Sequence, residues 1–158
     1  MNKTLFILIG LKGSGKTYIG TLLDTKTDIT FLRVEPIWLS LSDEENGWKK
    51  VENTIDNLFK TNDKVMIESL GAGEGFTGMH SSLTSKYTVR FIKIETDPEI
   101  CLERVRTRNN KDHIPVSDPQ VEKYNRIAAQ VEFNWDLVIR NNGPASEDEI
   151  LRAFRILK

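Results

Sequence analysis

Five short apolar segments recur along the chain, and longer segments of mixed polarity separate them. Two of these segments have continuously apolar centres, LFILI and VMI, which is typical of strands that are covered on both faces. The pattern therefore predicts five β-strands within a buried sheet. The predicted strands span Thr4–Gly10, Ile29–Val34, Lys64–Ser69, Val89–Glu95 and Trp135–Arg140.

Polar residues mark the starts of helices in the intervening segments. Ser42 and Glu45 have the spacing of a capping box, which predicts a helix over Asp43–Lys60. Asp97-Pro98 places a proline just inside another helix, which runs to about Arg108. Strands that alternate with helices in this way predict an α/β fold with a parallel sheet. The capping pairs of the last two helices are Ser117 with Gln120 and Ser146 with Glu149.

Two segments interrupt this alternation. Leu70–Lys86 carries glycines at positions 71, 73, 75 and 78, directly after the third strand. Asn109–Ser117 is a polar connection between two helices. We expect both to contain ligand-contacting loops, because α/β proteins place such loops at the ends of strands and helices. In the first segment a short helix is expected around His80.

A phosphate-binding motif follows the first strand. The sequence GLKGSGKT is a full match to G-x-x-x-x-G-K-[ST], and it lies between an apolar strand and a helix that begins near Lys16. The glycines let successive backbone N–H groups curl around an anion, and the helix adds the positive end of its dipole. We expect Lys16 to reach the β- and γ-phosphates and the Thr17 hydroxyl to ligate Mg²⁺. The predicted phosphate-binding residues are Gly10, Lys12, Gly13, Ser14, Gly15, Lys16 and Thr17.

Composition narrows the class of protein. A chain of 158 residues, of which 39% are hydrophobic, predicts one domain over residues 1–158 with an ordinary core. The balance of 22 Lys and Arg against 23 Asp and Glu disfavours a nucleic-acid partner and a membrane surface. The single cysteine, Cys101, excludes a disulfide framework, and no segment has the roughly 18 apolar residues of a membrane span. We therefore expect a cytoplasmic protein, and the oligomeric state stays open.

A GTPase is the first alternative among proteins with this loop. Glu68-Ser-Leu-Gly71 imitates the DxxG motif of GTPases, with Glu in place of Asp. Asn110-Lys111-Asp112 imitates the guanine-reading NKxD motif, but its spacing is wrong and no apolar strand precedes it. These departures disfavour a GTPase and favour ATP as the nucleotide.

The loop, two acidic residues and an arginine-rich run together resemble the small P-loop kinases of the nucleoside-monophosphate-kinase-like group. Glu35 and Glu68 are expected to end the second and third strands, and the run spans Glu99–Asn109. The group includes adenylate, shikimate and gluconate kinases and the kinase half of polynucleotide kinase, and His113–Ser117 is most similar to this last branch. The resemblance implies a three-layer P-loop fold with sheet order 2-3-1-4-5, helices on both faces and a short lid at about 109–117.

The resemblance also implies roles for residues outside the loop. Arg104 and Arg108 share a helix face, and such arginines in the group stack on adenine or clamp the transferred phosphoryl group. The turn Asn141-Asn142-Gly143-Pro144 matches the place where the group packs backbone against the adenine edge. Glu68 follows VMI as a Walker-B-like acid, which favours a role at the metal, and Glu35 is then the candidate for the acceptor side.

The acceptor is the part that the sequence defines least. No arginine occurs between Arg33 and Arg90, so the usual clamp of a monophosphate acceptor is missing. Trp38 and Trp48 are candidates to cover a ring or a sugar, but aromatic side chains near a helix start more often serve packing alone. The sequence thus predicts an Mg²⁺- and ATP-dependent kinase for a small-molecule hydroxyl or nucleotide phosphate. The alternatives are a regulatory nucleotide-binding module with slow or no hydrolysis and a polynucleotide 5′-hydroxyl kinase.

Overall fold

One or two helices separate each pair of successive strands in the described chain. The computed structural model describes residues 2–108 and 117–157. The predicted lid at 109–117 therefore lies outside the described residues, apart from Ser117. The strands are β1 (Thr4–Ile9), β2 (Thr30–Phe31), β3 (Lys64–Ser69), β4 (Thr88–Glu95) and β5 (Leu137–Arg140). The helices are α1 (Lys16–Lys26), α2 (Glu35–Leu39), α3 (Gly47–Leu58), α4 (Glu74–Lys86), α5 (Pro98–Thr107), α6 (Asp118–Ala128) and α7 (Glu147–Ile156).

The five strands form one parallel sheet with the order β2-β3-β1-β4-β5. This confirms the predicted α/β fold class and strand order. Strand β1 lies between β3 and β4. The chain first builds the side of β2 and β3 and then crosses β1 to build the side of β4 and β5, so the strand order reverses at β1. Open parallel sheets bind their ligands at this reversal, and the glycine-rich loop begins there.

Both faces of the sheet are buried by helices. Alternating side chains of β1 point into two separate clusters, as expected for a central strand. Helices α1 and α7 cover one face, and helices α3 and α4 cover the other. The first cluster includes Phe6, Leu8, Ile19, Leu23, Ile150 and Phe154, and the second includes Leu5, Ile7, Val51, Ile55, Phe76 and Leu83.

The register of the sheet sets the acidic end of β3 beside the glycine-rich loop. Leu8 lies opposite Glu68 and Ile9 lies opposite Ser69 in the parallel pair of β1 and β3. The N–H of Gly10 donates to the Ser69 carbonyl at 3.4 Å. The two segments that carry the predicted phosphate and metal chemistry are thus hydrogen-bonded neighbours.

The segment Leu70–Lys86, which follows β3 and carries four glycines, is mostly a helix. Only 70–73 is loop, and α4 continues the alternation from Glu74 to Lys86. The prediction of a loop through Gly75 and Gly78 is therefore wrong. Phe76, Met79 and Leu83 have the 3-4 spacing of one buried helix face, and this hydrophobic periodicity outweighs the low helix propensity of glycine.

The start of one further helix differs from the prediction. The helix predicted over Asp43–Lys60 begins at Gly47, where the Asn46 side chain accepts the Lys49 N–H at 3.2 Å. The Ser42–Glu45 pair is formed, but it closes a turn ahead of the helix instead of capping it. By contrast, Ser117 and Gln120 make the complete predicted capping box of α6.

Candidate active site

A cavity of about 480 Å³ opens at the carboxyl edge of the sheet. The glycine-rich loop forms one side of it, and residues from α2, α3 and the end of β3 form the other. The cavity is lined by Lys12, Gly13, Ser14, Gly15, Lys16, Thr17, Tyr18, Val34, Glu35, Trp38, Trp48, Val51, Ile67, Glu68, Ser69, Leu70, Ala72, Arg104 and Arg108.

None of the helices in the two described ranges is long and apolar enough to cross a membrane.

Glycine is required at two positions of the loop. Gly13 and Gly15 have φ angles of +87° and +104°, in the left-handed region that side chains rarely adopt. There is also no space for a side chain, since a Cβ would overlap the Cys101 carbonyl at Gly13 and the Asn141 side-chain amide at Gly15. The curled backbone expected of the motif is therefore present, and it requires glycine at both positions.

Asn125 of α6 holds the loop from outside the motif. Its side-chain oxygen accepts the Lys12 N–H at 2.7 Å, and its side-chain nitrogen donates to the Lys12 carbonyl at 3.2 Å. Asn125 is only 4% exposed. Sequence reasoning missed this residue, because it is 113 positions away from Lys12 and carries no motif. An asparagine on the buried face of an amphipathic helix was the one available signal.

A second set of side chains converges on the carbonyl oxygen of Ser14. The Thr96 hydroxyl donates to it at 3.0 Å, the Asn141 amide at 2.8 Å and Arg104 Nη1 at 3.3 Å. These donors come from the ends of β4 and β5 and from α5, so three elements fix one peptide unit. Buried polar side chains that are satisfied in this way define one rigid arrangement.

The two predicted arginines occupy different environments. The Arg104 guanidinium donates to the carbonyls of Asn141 and Asn142 at 2.7 and 3.0 Å as well as to the loop. The Nε and Nη2 atoms of Arg108 are buried and have no hydrogen-bond partner among the described residues. Burial lowers the pKa of Arg108, and Glu35 and Glu68 oppose that shift. Arg104 therefore braces the loop, whereas Arg108 lines the cavity and keeps two donors that have no partner among the described residues.

Lys16 lies at the base of the cavity, at the first residue of α1. Its ammonium donates to the carbonyls of Gly10 and Leu11, at 2.6 and 3.0 Å. Burial lowers its pKa from 10.5 to about 8, against the raising effect of Glu68. A buried ammonium held only by neutral carbonyls is well suited to exchange them for anionic phosphate oxygens.

Glu68 and Thr17 face each other across the cavity floor. The Thr17 hydroxyl donates to Glu68 Oε2 at 3.0 Å, and Glu68 is 4% exposed. Burial raises the pKa of Glu68, and Lys16 opposes that shift. A hydroxyl and one carboxylate fit Mg²⁺, which usually takes one or two protein ligands and completes its shell with phosphates and water. No cluster of three metal-ligating side chains occurs within 2–108 or 117–157, so the donors do not fit zinc.

Glu35 reaches the cavity from a helix and not from a strand end. The second strand was expected to run to Val34, but β2 ends at Phe31 and Glu35 is the first residue of α2. Pro36 in the first turn favours a helix start at this point. Lys12 Nζ lies 4.0 Å from Glu35 Oε2. Burial lowers the pKa of Lys12, while Glu35 raises it.

Four of the predicted residues do not line the cavity. One is Gly10, whose carbonyl accepts the Lys16 ammonium from behind the lining. Asn142, Gly143 and Pro144 are exposed and do not line it. Asn142 instead accepts the Asp97 N–H at 2.7 Å, which joins the turn after β5 to the start of α5. The residues that the structure adds to the site are Asn125 and Thr96, which hold the loop, and Val34 and Val51 of the apolar wall.

Many solved structures have a fold similar to that of this chain. No protein-family model matches the chain, and no curated protein sequence matches it. A candidate kinase from Chloroflexus aurantiacus is 16% identical, with a TM-score of 0.77 over 100% of both chains. The APS kinase of Mycobacterium tuberculosis, in complex with AMPPNP and APS, is 16% identical, with a TM-score of 0.69 over 99% of this chain and 96% of its own.

The chain has the P-loop kinase fold. The Pnkp1/Rnl/Hen1 RNA repair complex provides a further match, at 21% identity and a TM-score of 0.66. That match covers 81% of this chain, which spans only 44% of the other. The resemblance to small P-loop kinases that the sequence indicated is confirmed at the level of the fold.

Proposed function

We propose that the chain is an ATP-dependent phosphotransferase that moves the γ-phosphoryl group to a small-molecule acceptor, at a hydroxyl or a nucleotide phosphate. The observation that carries the proposal is the position of Lys16, Thr17 and Glu68 in the same cavity as Glu35 and Arg108. Phosphoryl transfer needs phosphate-binding groups, a metal position, an acceptor-side carboxylate and a cation for the transferred charge. The proposed reaction would use all five side chains.

The glycine-rich loop would hold the β- and γ-phosphates. Lys16 would leave the carbonyls of Gly10 and Leu11 and bind phosphate oxygens with the same ammonium. The tethers from Asn125 and Asn141 keep the loop curled before the nucleotide arrives. Such preorganisation means that little of the nucleotide's binding energy goes into ordering the loop.

Thr17 and Glu68 would hold Mg²⁺. Bound there, the ion neutralises charge on the phosphates. Thr17 now donates to Glu68, so the hydroxyl and the carboxylate are already oriented toward one point. The burial that raises the pKa of Glu68 would be offset once a cation lies beside the carboxylate.

Glu35 and Arg108 would act on the acceptor side. The Glu35 carboxylate would orient the acceptor hydroxyl and accept its proton. Arg108 would bind oxygens of the transferred group through the donors that have no partner in the described part of the chain. Arg104 would act as a positioning residue, because its guanidinium is already bound to four backbone carbonyls.

The decisive experiment measures ADP release from Mg·ATP, alone and with pools of possible acceptors. The pools are nucleosides, nucleoside monophosphates, sugar acids, shikimate-like polyols and 5′-hydroxyl oligonucleotides. We expect one small-molecule pool to accelerate ADP release in the native protein but not in Lys16→Ala. Equal turnover in the Lys16→Ala protein would contradict the proposal.

A slow rate that no pool accelerates would instead favour a regulatory nucleotide-binding module. Acceleration by oligonucleotides, with strong salt dependence of their binding, would favour a polynucleotide kinase. The same set of assays therefore separates the three candidate functions.

A further inference from the structure

We propose that the acceptor is an alcohol with a flat aromatic ring, which lies against Trp38 and Trp48 in the active-site cavity. This inference rests on the proposed phosphotransferase function and names its substrate class. It follows from the composition of the acceptor wall, from the backbone positions that seat the two indoles, and from the chemistry that such a wall can recognise.

The wall of the cavity away from the glycine-rich loop is apolar. The segments that supply it are the connection from β2 to α2, helices α2 and α3, the end of β3 and the connection from β3 to α4. Among the described lining residues, the only hydroxyl from these segments is that of Ser69, which already accepts the Gly71 N–H at 3.0 Å. The charged acceptor-side groups are confined to the phosphoryl end, at Glu35, Glu68 and Arg108. The apolar lining residues are Val34, Trp38, Trp48, Val51, Ile67, Leu70 and Ala72.

Two glycines make room for the indoles. A Cβ at Gly47 would overlap the six-membered ring of Trp38, and a Cβ at Gly75 would overlap the Trp48 ring. Gly75 lies inside α4, where glycine is unfavourable for the helix, so close approach of Trp48 explains its presence. A Cβ at Gly78, one turn later in the same helix, would meet no described atom within 4 Å. The positions of both indoles are therefore built into the backbone.

The two indoles form an edge-to-face pair. Their ring centroids lie 5.1 Å apart, with an angle of 77° between the planes. Phe76 contacts Trp48 in the same manner from the core side, with centroids 6.0 Å apart. Both indoles are partly exposed to the cavity. A rigid corner of two perpendicular rings offers one face and one edge, which is the arrangement that a third aromatic ring prefers.

A polyol or a sugar acid does not fit such a wall. Each of its hydroxyls would lose water without gaining a partner among the apolar side chains. An aromatic alcohol loses little water from its ring and places its single hydroxyl at the charged end. The site would thus select the acceptor by its aromatic ring and transfer the phosphoryl group to its hydroxyl.

The proposed step balances without a further reactant. The alcohol oxygen forms a bond to the γ-phosphorus of ATP, and the bond between that phosphorus and the β,γ-bridging oxygen breaks. The electron pair of the broken bond stays on ADP. The hydroxyl proton goes to the Glu35 carboxylate and then to solvent. The products are an aryl-alkyl phosphate, ADP and one proton.

The experiment compares simple aryl alcohols with a nucleoside, whose flat base carries a sugar with further hydroxyls, and with two acceptors that have no aromatic ring. Initial rates of ADP release are measured with tryptophol, 2-phenylethanol, thymidine, shikimate and gluconate at equal concentrations. We expect at least one compound with an aromatic ring to exceed both polyols by tenfold or more. We also expect Trp38→Leu to raise the KM of that compound about tenfold and to leave the Kd of ATP unchanged. Trp135→Phe is the matched control, because Trp135 packs against Phe91 and Phe133 outside the cavity.

Binding is followed separately by quenching of tryptophan fluorescence, which requires no turnover. Saturable quenching by an aromatic alcohol, without transfer to any acceptor, would support the ligand class and contradict the phosphotransferase function. Transfer to shikimate or gluconate, with none to the aromatic alcohols, would overturn the ligand class and leave the phosphotransferase function standing. The native protein gives both answers, so neither depends on the folding of a variant.

Discussion

Hydrogen bonds hold the phosphate side of the cavity, whereas close packing holds the tryptophan side. The loop is tied by Asn125 at Lys12 and by three donors at the Ser14 carbonyl. The indoles of Trp38 and Trp48 pack against Gly47 and Gly75, where a Cβ would overlap the rings. One side is thus fixed by directional polar contacts and the other by shape alone.

This difference matches what each side would recognise. Phosphate is the same in every nucleotide, and its recognition depends on donors at fixed positions. A flat apolar ring offers few polar atoms, so a wall that recognises it needs shape and surface instead. Substitutions on the two sides should therefore damage different steps, nucleotide binding on one and acceptor binding on the other.

Removal of the Lys16 ammonium should have the largest effect. We expect Lys16→Ala to lower the kcat/KM for ATP by about 100- to 1000-fold, as for other single charge-stabilising donors. Steady-state ADP release measures this, and the exposed Lys123→Ala protein is the control. A loss below about tenfold would show that the phosphate side does not depend on this cation.

Removal of the Asn125 tether should have the next largest effect, and it should be confined to the phosphate side. Asn125→Ala leaves the N–H and carbonyl of Lys12 without their partners, which costs about 1–3 kcal/mol. We expect ATP affinity to fall about tenfold while acceptor binding is unchanged. Calorimetric titration with ATP checks this, with the exposed Asn134→Ala protein alongside. An equal loss of affinity for ATP and for the acceptor would contradict the separation of the two sides.

A pair of glycine substitutions in α4 tests the tryptophan side. Gly78→Ala fills open space in a helix and should stabilise the fold by about 0.5–1 kcal/mol. Gly75→Ala pushes against Trp48 and should destabilise it by about 1–3 kcal/mol. Urea unfolding gives both free energies, and ATP affinity should be unchanged in each variant. If both substitutions stabilise equally, the indole is not seated on Gly75.

The smallest expected effect is a pH-dependent proton uptake on the phosphate side. Burial lowers the pKa of Lys16 from 10.5 to about 8, so much of it is neutral at about pH 8.5. Phosphate favours the charged form, so ATP binding should take up a fraction of a proton at that pH and little near neutrality. Affinity for ATP should therefore decline as the pH rises through about 8.

Calorimetry in buffers of different ionisation enthalpy measures this uptake. Lys16→Arg stays charged throughout the range and should abolish it. Without a ligand, the lowered pKa means that the folded chain binds fewer protons than the unfolded chain between about pH 8 and 10.5. The contribution of Lys16 to stability should therefore rise with pH across that window.

The fold and the phosphate loop could be predicted from the sequence because their signals are local. The LFILI and VMI runs, the eight-residue motif and the Ser117 capping box each determine structure over a few neighbouring residues. The start of α4 at Glu74 was not predicted, because Gly75 and Gly78 indicated a loop. The structure explains Gly75 by the close approach of Trp48.

The remainder of the site depends on contacts between distant parts of the chain. Asn125 lies 113 positions from the residue that it holds, and Asn141 lies 127 positions from Ser14. Arg104 and Arg108 look equivalent in the sequence, but only the fold shows that the carbonyls of Asn141 and Asn142 engage one of them. Local patterns cannot encode such partners, because the same residues on another surface would simply be solvated.

The most direct test of phosphoryl transfer follows the γ-phosphate of ATP itself. The protein is incubated with Mg²⁺, labelled ATP and an aromatic alcohol, and the label is partitioned into ATP, inorganic phosphate and organic phosphate. We expect the label to appear in the phosphorylated alcohol with the native protein and to stay in ATP with Lys16→Ala. Label that appears only as inorganic phosphate, whichever acceptor is present, would contradict a phosphotransferase.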